Sequence, residues 1–502
     1  MKRFLLSLLL AASLLAAAPR KPRLVVTIVI DQFRYDYLTR LRGEFHGGFH
    51  RLLTSGAVFS NANYIHVPTV TAVGHSTILT GATPSVSGIV GNDWYDPEEH
   101  RHVTSVSDGR TSIVGGAGEG SSPHRMLVST VGDELKMADA GRSRVIGISL
   151  KDRAAILPAG HSANAAYWFD IANGSFVTSS YYMKTLPPWV EAFNDGHPAN
   201  RYRGRTWLQH TLPQDPARLY AALESSPFGN ELLEQFAERA IEAEQLGKRD
   251  VPDLLCISFS ANDYVGHTYG TYSPEQRQVT LEADRALDRL FASIDRAVGL
   301  DNALIVLTGD HGVAPSAADD AANHMPGGNM PGNAVREAVQ AALEKAYGPG
   351  NWVVGSWDLA LYLNQDLIAQ KKLDPAAVNR TAAAAAFAVP HILRAYTRDQ
   401  LAAGAVSGDQ LSRRVENGFH VRRSADIEFI PDPYWMFSGA VATHGTPFDY
   451  DSHVPVIFMG SGIKPGRYDA SVTVNDIAPT LATILEVETP SGSVGRVLTE
   501  MW

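Results

Sequence analysis

The sequence predicts an α/β fold in which a mostly parallel central sheet is sandwiched by helices. Two observations carry this. Short apolar runs, hydrophobic on both faces, recur along the chain as LVVTIVID, RVIGISL, LLCISFS, ALIVLTG and VPVIFMG, the pattern of strands covered on both sides. Stretches of helical periodicity alternate with them, which is the order of an α/β domain. At 502 residues and 45% hydrophobic, the chain can bury a large core.

The N-terminal stretch, MKRFLLSLLLAASLLAAA, has a basic start, an apolar run to Ala18 and small residues at 16–18, as a secretory signal peptide does. Its cut site stays open, because Pro19 would follow Ala18. The run is short for a membrane span, no later segment is long enough, and no lipobox cysteine follows, so no stable membrane anchor is expected. The expected location is periplasmic or secreted. The single cysteine, Cys256, lies inside a buried strand run and forms no internal disulfide. The net charge of -10 argues against nucleic acid as the natural partner and leaves a small anionic substrate open. Oligomeric state is not legible.

After the first strand comes HVPTVTAVGHSTILTG, 66–81, rich in hydroxyls. By residue type alone these read as helix caps and packed side chains. Residues 93–140 and about 155–250, rich in Trp, Tyr, Pro and Gly, read as loops over the carboxyl edge of the sheet. The segment SPEQRQVTLEADRALDRLFASIDRAVG reads as a helix with Ser273 as N-cap, Pro274 in its first turn and Gly299 at its end. About 313–439 breaks the pattern and reads as an insertion or subdomain, and NDIAPTLATILEV is a last helix. The whole is one catalytic domain over 23–502 with insertions at about 93–140, 155–250 and 313–439.

Three of the strands end in a potential metal ligand: Asp31, Asp263, and Asp310 with His311. Functional groups gather at the carboxyl ends of such strands, so these point to one shared site. In SANDYVGHTYG, Asp263 and His267 are one helical turn apart and share a face. His444 stands in a second His-Gly turn before VPVIFMG. Three carboxylates and three imidazoles without thiolate suit zinc, and ligand chemistry also allows manganese or iron. Six ligands exceed one tetrahedral site and suffice for two ions if a hydroxyl joins one of them. In SLKDRAA, after a strand, Lys151 and Arg153 are two apart and would share one side of an extended segment.

These residues together resemble the alkaline phosphatase superfamily, and within it the threonine-nucleophile, phosphate-irrepressible type of periplasmic alkaline phosphatase. The resemblance runs from LVVTIVIDQFRYDYL through TVTAVGHSTILTG, GIVGNDWYD, SLKDRAA, SANDYVGHTYG, LTGDHGV and THGTP to VTVNDIAPTLATILEVETPSGSVGRVL. It implies two Zn2+ ions, one on Asp263, His267 and His444 and the other on Asp31, Asp310, His311 and Thr71. It makes Thr71 the nucleophile, and gives Asn92, Lys151 and Arg153 as contacts to phosphoryl oxygens. His75, His324 and His453 keep a structural reading. The lone Cys256 does not stand in a C/S-x-P-x-R segment, which excludes the usual sulfatase chemistry, and no third, magnesium site is matched. The expectation is a secreted phosphomonoesterase of broad specificity working through a phosphothreonine. The alternatives are a phosphodiesterase or phosphonate hydrolase of the same superfamily and, further off, a non-enzymatic phosphate-binding relative.

Overall fold

All five apolar runs become strands of one sheet. A computed structural model describes residues 21–437 and 439–502, and the expected signal peptide lies outside the described residues. The body of its 12-stranded sheet is β1 (Leu24–Ile30), β2 (Ala57–Asn63), β3 (Val145–Ser149), β4 (Ala165–Asp170), β5 (Ser175–Ser179), β6 (Asp253–Phe259), β7 (Ala303–Gly309) and β8 (His453–Gly460). Their order is β2-β8-β7-β1-β6-β3-β4-β5. Pairing is parallel from β7 through β1, β6 and β3 to β4, whereas the β7–β8, β8–β2 and β4–β5 pairs are antiparallel. The sheet is therefore mixed, with a parallel centre. Ile30 is level with both Phe259 and Gly309, so β1, β6 and β7 end side by side.

Six of the helices bear on the site and the cores beside it: α1 (Thr71–Thr80), α2 (Asp152–Ala159), α3 (Pro227–Ala243), α4 (Ala261–Tyr269), α5 (Pro274–Val298) and α6 (Ile477–Leu485). Side chains alternate across β1. Val26, Ile28 and Ile30 pack with the apolar stripes of α3 and α5, while Val25 and Val29 pack with Ile477, Leu481 and Leu485 of α6. Each fully buried aliphatic side chain contributes roughly 1.5–3 kcal/mol, so these two cores dominate stability. The α5 helix begins as its sequence predicts: Ser273 Oγ accepts the Gln276 N–H at 3.0 Å, a cap worth about 1 kcal/mol.

The loop reading of 93–140 and 155–250 needs correction. Ala165–Asp170 pairs in parallel with β3, and Ser175–Ser179 turns back beside it. Ser107–Val114 and Glu119–Ser121 extend the same sheet. Val131–Ala138 is a helix opened by a Thr130/Asp133 capping box, and it packs on the α6 side. Trp94, Tyr167 and Tyr202 are buried as core residues. These strands are short and sit among Gly, Asn and Pro, so their periodicity is lost in turn signals. Within 313–439, Val353–Trp357, Ala360–Leu363, Ile427–Pro431 and Ile392–Thr397 form a separate four-stranded antiparallel sheet. It has its own core around Trp352, Leu361, Val378 and Ile427.

Candidate active site

The level ends of β1, β6 and β7 bring Asp31, the start of α4, and Asp310 with His311 to one place. Asp263 and His267 stand one turn apart on α4, with Asp263 Oδ1 3.1 Å from His267 Nε2. His444 arrives from the segment before β8, and its ring stacks on His311 with centroids 3.6 Å apart. The six ligand candidates thus converge, although they are remote in sequence.

The hydroxyl-rich stretch forms α1, whose first residue is Thr71, 2% exposed. Gly74 lets this helix lie against the chain at Asp310, because a Cβ there would sit 2.1 Å from the Asp310 carbonyl oxygen. No side chain of the stretch caps the helix: the N-cap is Val70. Instead Asn92 Oδ1 accepts the Ala72 N–H at 2.8 Å, satisfying one of the helix's free donors from outside. Ser76 and Thr80 donate within the helix to Val73 O and Ser76 O, and Thr69 donates to Thr446 O.

Each candidate imidazole is oriented alike. His267 Nδ1 donates to Ala442 O at 2.8 Å, His444 Nδ1 to Thr69 O at 2.8 Å and His311 Nδ1 to Gly312 O at 2.9 Å. This fixes each ring's orientation and turns every Nε2 toward the carboxylates. His311 Nε2 lies 3.5 Å from both Asp31 Oδ1 and Asp310 Oδ2, and all three buried atoms lack a hydrogen-bond partner. Such orphaned polar atoms are costly unless something else pairs with them. Burial lowers the His311 pKa, and burial with the adjacent His311 and His267 holds His444 well below the usual range. Both are therefore neutral at neutral pH, the form that binds metal. Burial and the neighbouring Asp310 carboxylate push Asp31 well above the ordinary range. Burial opposes ionisation of Asp263 too, yet Lys151 and His267 beside it hold its pKa well below that range. The sets Asp263/His267/His444 and Asp31/Asp263/His311 each bring three donor atoms within 4.8 Å of one another. Their chemistry fits a divalent metal of the zinc type.

Lys151 sits at the centre of this charge. Its Nζ donates to Asp31 Oδ2 at 2.7 Å and Asp263 Oδ2 at 2.6 Å, over the Tyr264 ring. Burial disfavours the ammonium, but the two carboxylates outweigh it and raise its pKa. The expected extended segment for Lys151 and Arg153 is not what forms: Lys151 is the N-cap of α2 and Arg153 lies in its first turn. The Arg153 Nε is buried without a partner, and the nearest carboxylate oxygen, on Asp152, is 3.9 Å from its guanidinium.

Beyond the ligand candidates, three residues organise the site: His75, in keeping with its structural reading, Thr69 and Gln32. His75 Nδ1 donates to Thr71 O at 2.8 Å and lies 3.2 Å from Asp310 Oδ2, while its Nε2 meets Ser258 Oγ at 2.8 Å. Thr69 holds His444 through its carbonyl, and Gln32 touches both Asp263 and Asp310. Only the position of Gln32 beside Asp31 hinted at any of this. A cavity of about 810 Å3 lined by Arg34, Arg414, Tyr434 and Tyr450 includes none of the cluster's side chains. The converging groups, not cavity size, mark the site.

Known proteins give the arrangement its context. The type I phosphodiesterase / nucleotide pyrophosphatase profile matches residues 25–452. Alkaline phosphatase PafA of Elizabethkingia meningoseptica is 35% identical over 541 aligned positions, covering 100% of this chain and 99% of its own. Alkaline phosphatase PhoV of Synechococcus elongatus is 36% identical, covering 96% and 93%. A Myroides odoratus protein named a calcium-transporting ATPase is also 36% identical, covering 96% and 94%. The 1.7 Å crystal structure of PafA superposes with a TM-score of 0.89 at 36% identity, over 97% of this chain and 99% of that one. A PafA variant with Thr→Ser, Asn→Ala, Lys→Ala and Arg→Ala substitutions superposes equally well. The chain belongs to the type I phosphodiesterase/nucleotide pyrophosphatase family of the alkaline phosphatase superfamily and is an alkaline-phosphatase-like hydrolase.

Proposed function

We propose that this protein is a two-zinc phosphate monoesterase, exported from the cytoplasm, in which Thr71 is the nucleophile. The observation that carries the reading is the cluster itself: three imidazoles with Nε2 turned inward, three carboxylates, and unpaired buried atoms on Asp31, Asp310 and His311. Asp263, His267 and His444 would hold one zinc ion, and Asp31, Asp310, His311 and Thr71 the other. Bound there, the ions would supply Lewis-acid charge that lowers the pKa of hydroxyl and water nucleophiles and offsets charge on phosphoryl oxygens.

The chain's own residues account for the rest. Thr71 Oγ1 bonds to phosphorus as the ester P–O bond breaks and the alcohol departs, leaving phosphothreonine. Water then replaces the threonine oxygen at phosphorus and releases phosphate. Thr71 opens α1, so the helix dipole favours the anion arriving there. Asn92 keeps its NH2 donors free because its Oδ1 is taken by Ala72 N–H. The Lys151 ammonium compensates Asp31 and Asp263 and is available to a phosphoryl oxygen in the same space, as is the Arg153 guanidinium, whose Nε has no partner. Three donor groups suit the three non-bridging oxygens of a monoester better than the two of a diester. The four residue types changed in the PafA variant recur here in the same chain order as Thr71, Asn92, Lys151 and Arg153. The Thr–Asn and Lys–Arg separations are also the same. Recognition centred on the phosphoryl group implies broad tolerance of the alcohol. Export rests on the signal-like residues 1–18.

The test compares kcat/KM for an aryl phosphate monoester and the matching diester on protein of known zinc content. ATP is included, because the Myroides relative's name points to phosphoanhydride cleavage. The wild type favours the monoester. Lys151→Ala with Arg153→Ala lowers monoester turnover by about 100-fold or more and changes diester turnover far less. Thr71→Ala abolishes both while the fold is retained. Equal losses on the two substrates would favour a phosphodiesterase, and an active Thr71→Ala enzyme would remove the nucleophile assignment.

A further inference from the structure

We propose that Gln32 is a positioning residue that couples the two halves of the metal centre and holds Asp263 ready for the ion shared with His267 and His444. The inference rests on the two-ion reading above. Gln32 follows Asp31 at the end of β1 and is fully buried. Its main chain turns there with φ of 60°, in the left-handed region that glycine adopts freely and glutamine rarely does. The turn has a use. It aims the Gln32 N–H at Asp310 Oδ1, 3.1 Å away, and sends the side chain the other way, where Nε2 donates to Asp263 Oδ1 at 2.7 Å. One residue thus bonds a carboxylate from each proposed ligand set and is covalently joined to a third, Asp31.

Asp263 is the carboxylate most in need of such a hold. Its Oδ2 is committed to Lys151, and its Oδ1 also lies 3.1 Å from His267 Nε2 and 3.6 Å from His444 Nε2. A donor on Oδ1 sets the rotation of the carboxylate and thereby the direction of the lone pair that the two imidazoles converge on. Gly266, one residue before His267, makes room for the device: a Cβ there would lie 1.9 Å from Gln32 Oε1. Two unusual local choices, a left-handed glutamine and a glycine inside the ligand-bearing helix, therefore serve one contact. Asp31 itself needs no such donor, since Lys151 binds its Oδ2 directly.

The experiment is a zinc titration of metal-stripped protein against a competing chelator, with the melting temperature of the metal-free form measured alongside. Wild type takes up two ions. Gln32→Met, which keeps length but removes the donor, retains one ion at wild-type affinity and weakens the other by about 10- to 100-fold. Excess zinc restores its kcat with KM unchanged. Gly266→Ala leaves Gln32 in the sequence but displaces its amide, and gives the same loss at the same ion; it decides the matter if Gln32→Met does not fold. Unchanged zinc affinity with only a lower melting temperature would reduce Gln32 to a structural residue and overturn the inference. Equal weakening of both ions would overturn it too. Fewer than two ions on the wild type would bring down the two-ion reading itself, whereas two ions there and an unaltered Gln32→Met titration would bring down this inference alone.

Discussion

The Asn92 carboxamide divides its work between its two ends. Its Oδ1 accepts the Ala72 N–H at 2.8 Å and so steadies the first turn of α1, while its NH2 group keeps both donors for a substrate oxygen. Asn92→Asp keeps the acceptor, removes the donors and adds a negative charge. It should lower kcat/KM for a monoester by about 100- to 1,000-fold, the loss typical of one oxyanion donor, without lowering the melting temperature. Asn92→Ala loses both ends, and should add a destabilisation of about 1 kcal/mol to the same catalytic loss. Steady-state kinetics with thermal melts separate the two, and wild-type turnover in Asn92→Asp would make the residue purely structural. At this scale the sequence is legible where chemistry-bearing residues end an apolar run, as Asp31, Asp310 and His311 do. Lys151 and Arg153 stand out only through resemblance, because charges after a strand are ordinarily solvated. Thr69 is invisible and Gln32 is marked only by its place beside Asp31, since their partners Thr446 and Asp263 lie 377 and 231 positions away.

Among the elements, strands covered on both faces and the long amphipathic α5 announce themselves, because burial forces an unbroken apolar run or a helical stripe. The strands β4 and β5 do not, since each is only six or five residues long and its tertiary neighbours decide whether so short a segment pairs. Packing between α3 and α5 also hides a charge that no pattern reveals. Glu234 on α3 is 1% exposed; its Oε2 accepts from Arg289 Nε of α5 at 3.1 Å, and its Oε1 has no partner. Burial raises its pKa from an ordinary 4.5 to about 7, against the pull of Arg289. The folded protein thus holds this proton more tightly than the unfolded chain. Its stabilising effect is complete below about pH 4.5 and is lost as pH rises through about 7. Glu234→Gln should therefore be more stable than wild type at about pH 8, by about 2–3 kcal/mol, with the gap closing toward about pH 4. Chemical denaturation at the two pH values checks this, and a variant less stable at the higher pH would mean that the Arg289 ion pair outweighs desolvation.

For the whole molecule, the site is where the sheet's two cores, α1 and the segment before β8 meet, so metal binding and tertiary structure are linked. The proposed ligands come from five separate stretches of chain, at 31, 71, 263–267, 310–311 and 444, which only the folded state assembles. An ion that binds this state and not the unfolded chain stabilises it by about 4 kcal/mol at a thousand times its dissociation constant. The melting temperature should then climb with the logarithm of free zinc, and chelation should abolish activity reversibly. Chelation should not unfold the protein, because Lys151 stands among the carboxylates as an internal counter-charge, within 2.7 Å of Asp31 and 2.6 Å of Asp263. Removing one partner of such a buried set leaves uncompensated charge, at a cost of about 3–5 kcal/mol. Lys151→Met should accordingly lose that much stability in the metal-free form and recover most of it when zinc is added, since the ions then neutralise the same carboxylates. Calorimetry of wild type and variant, each with and without zinc, measures the difference directly. An equal loss in both forms would show that Lys151 supports the fold independently of the metal centre.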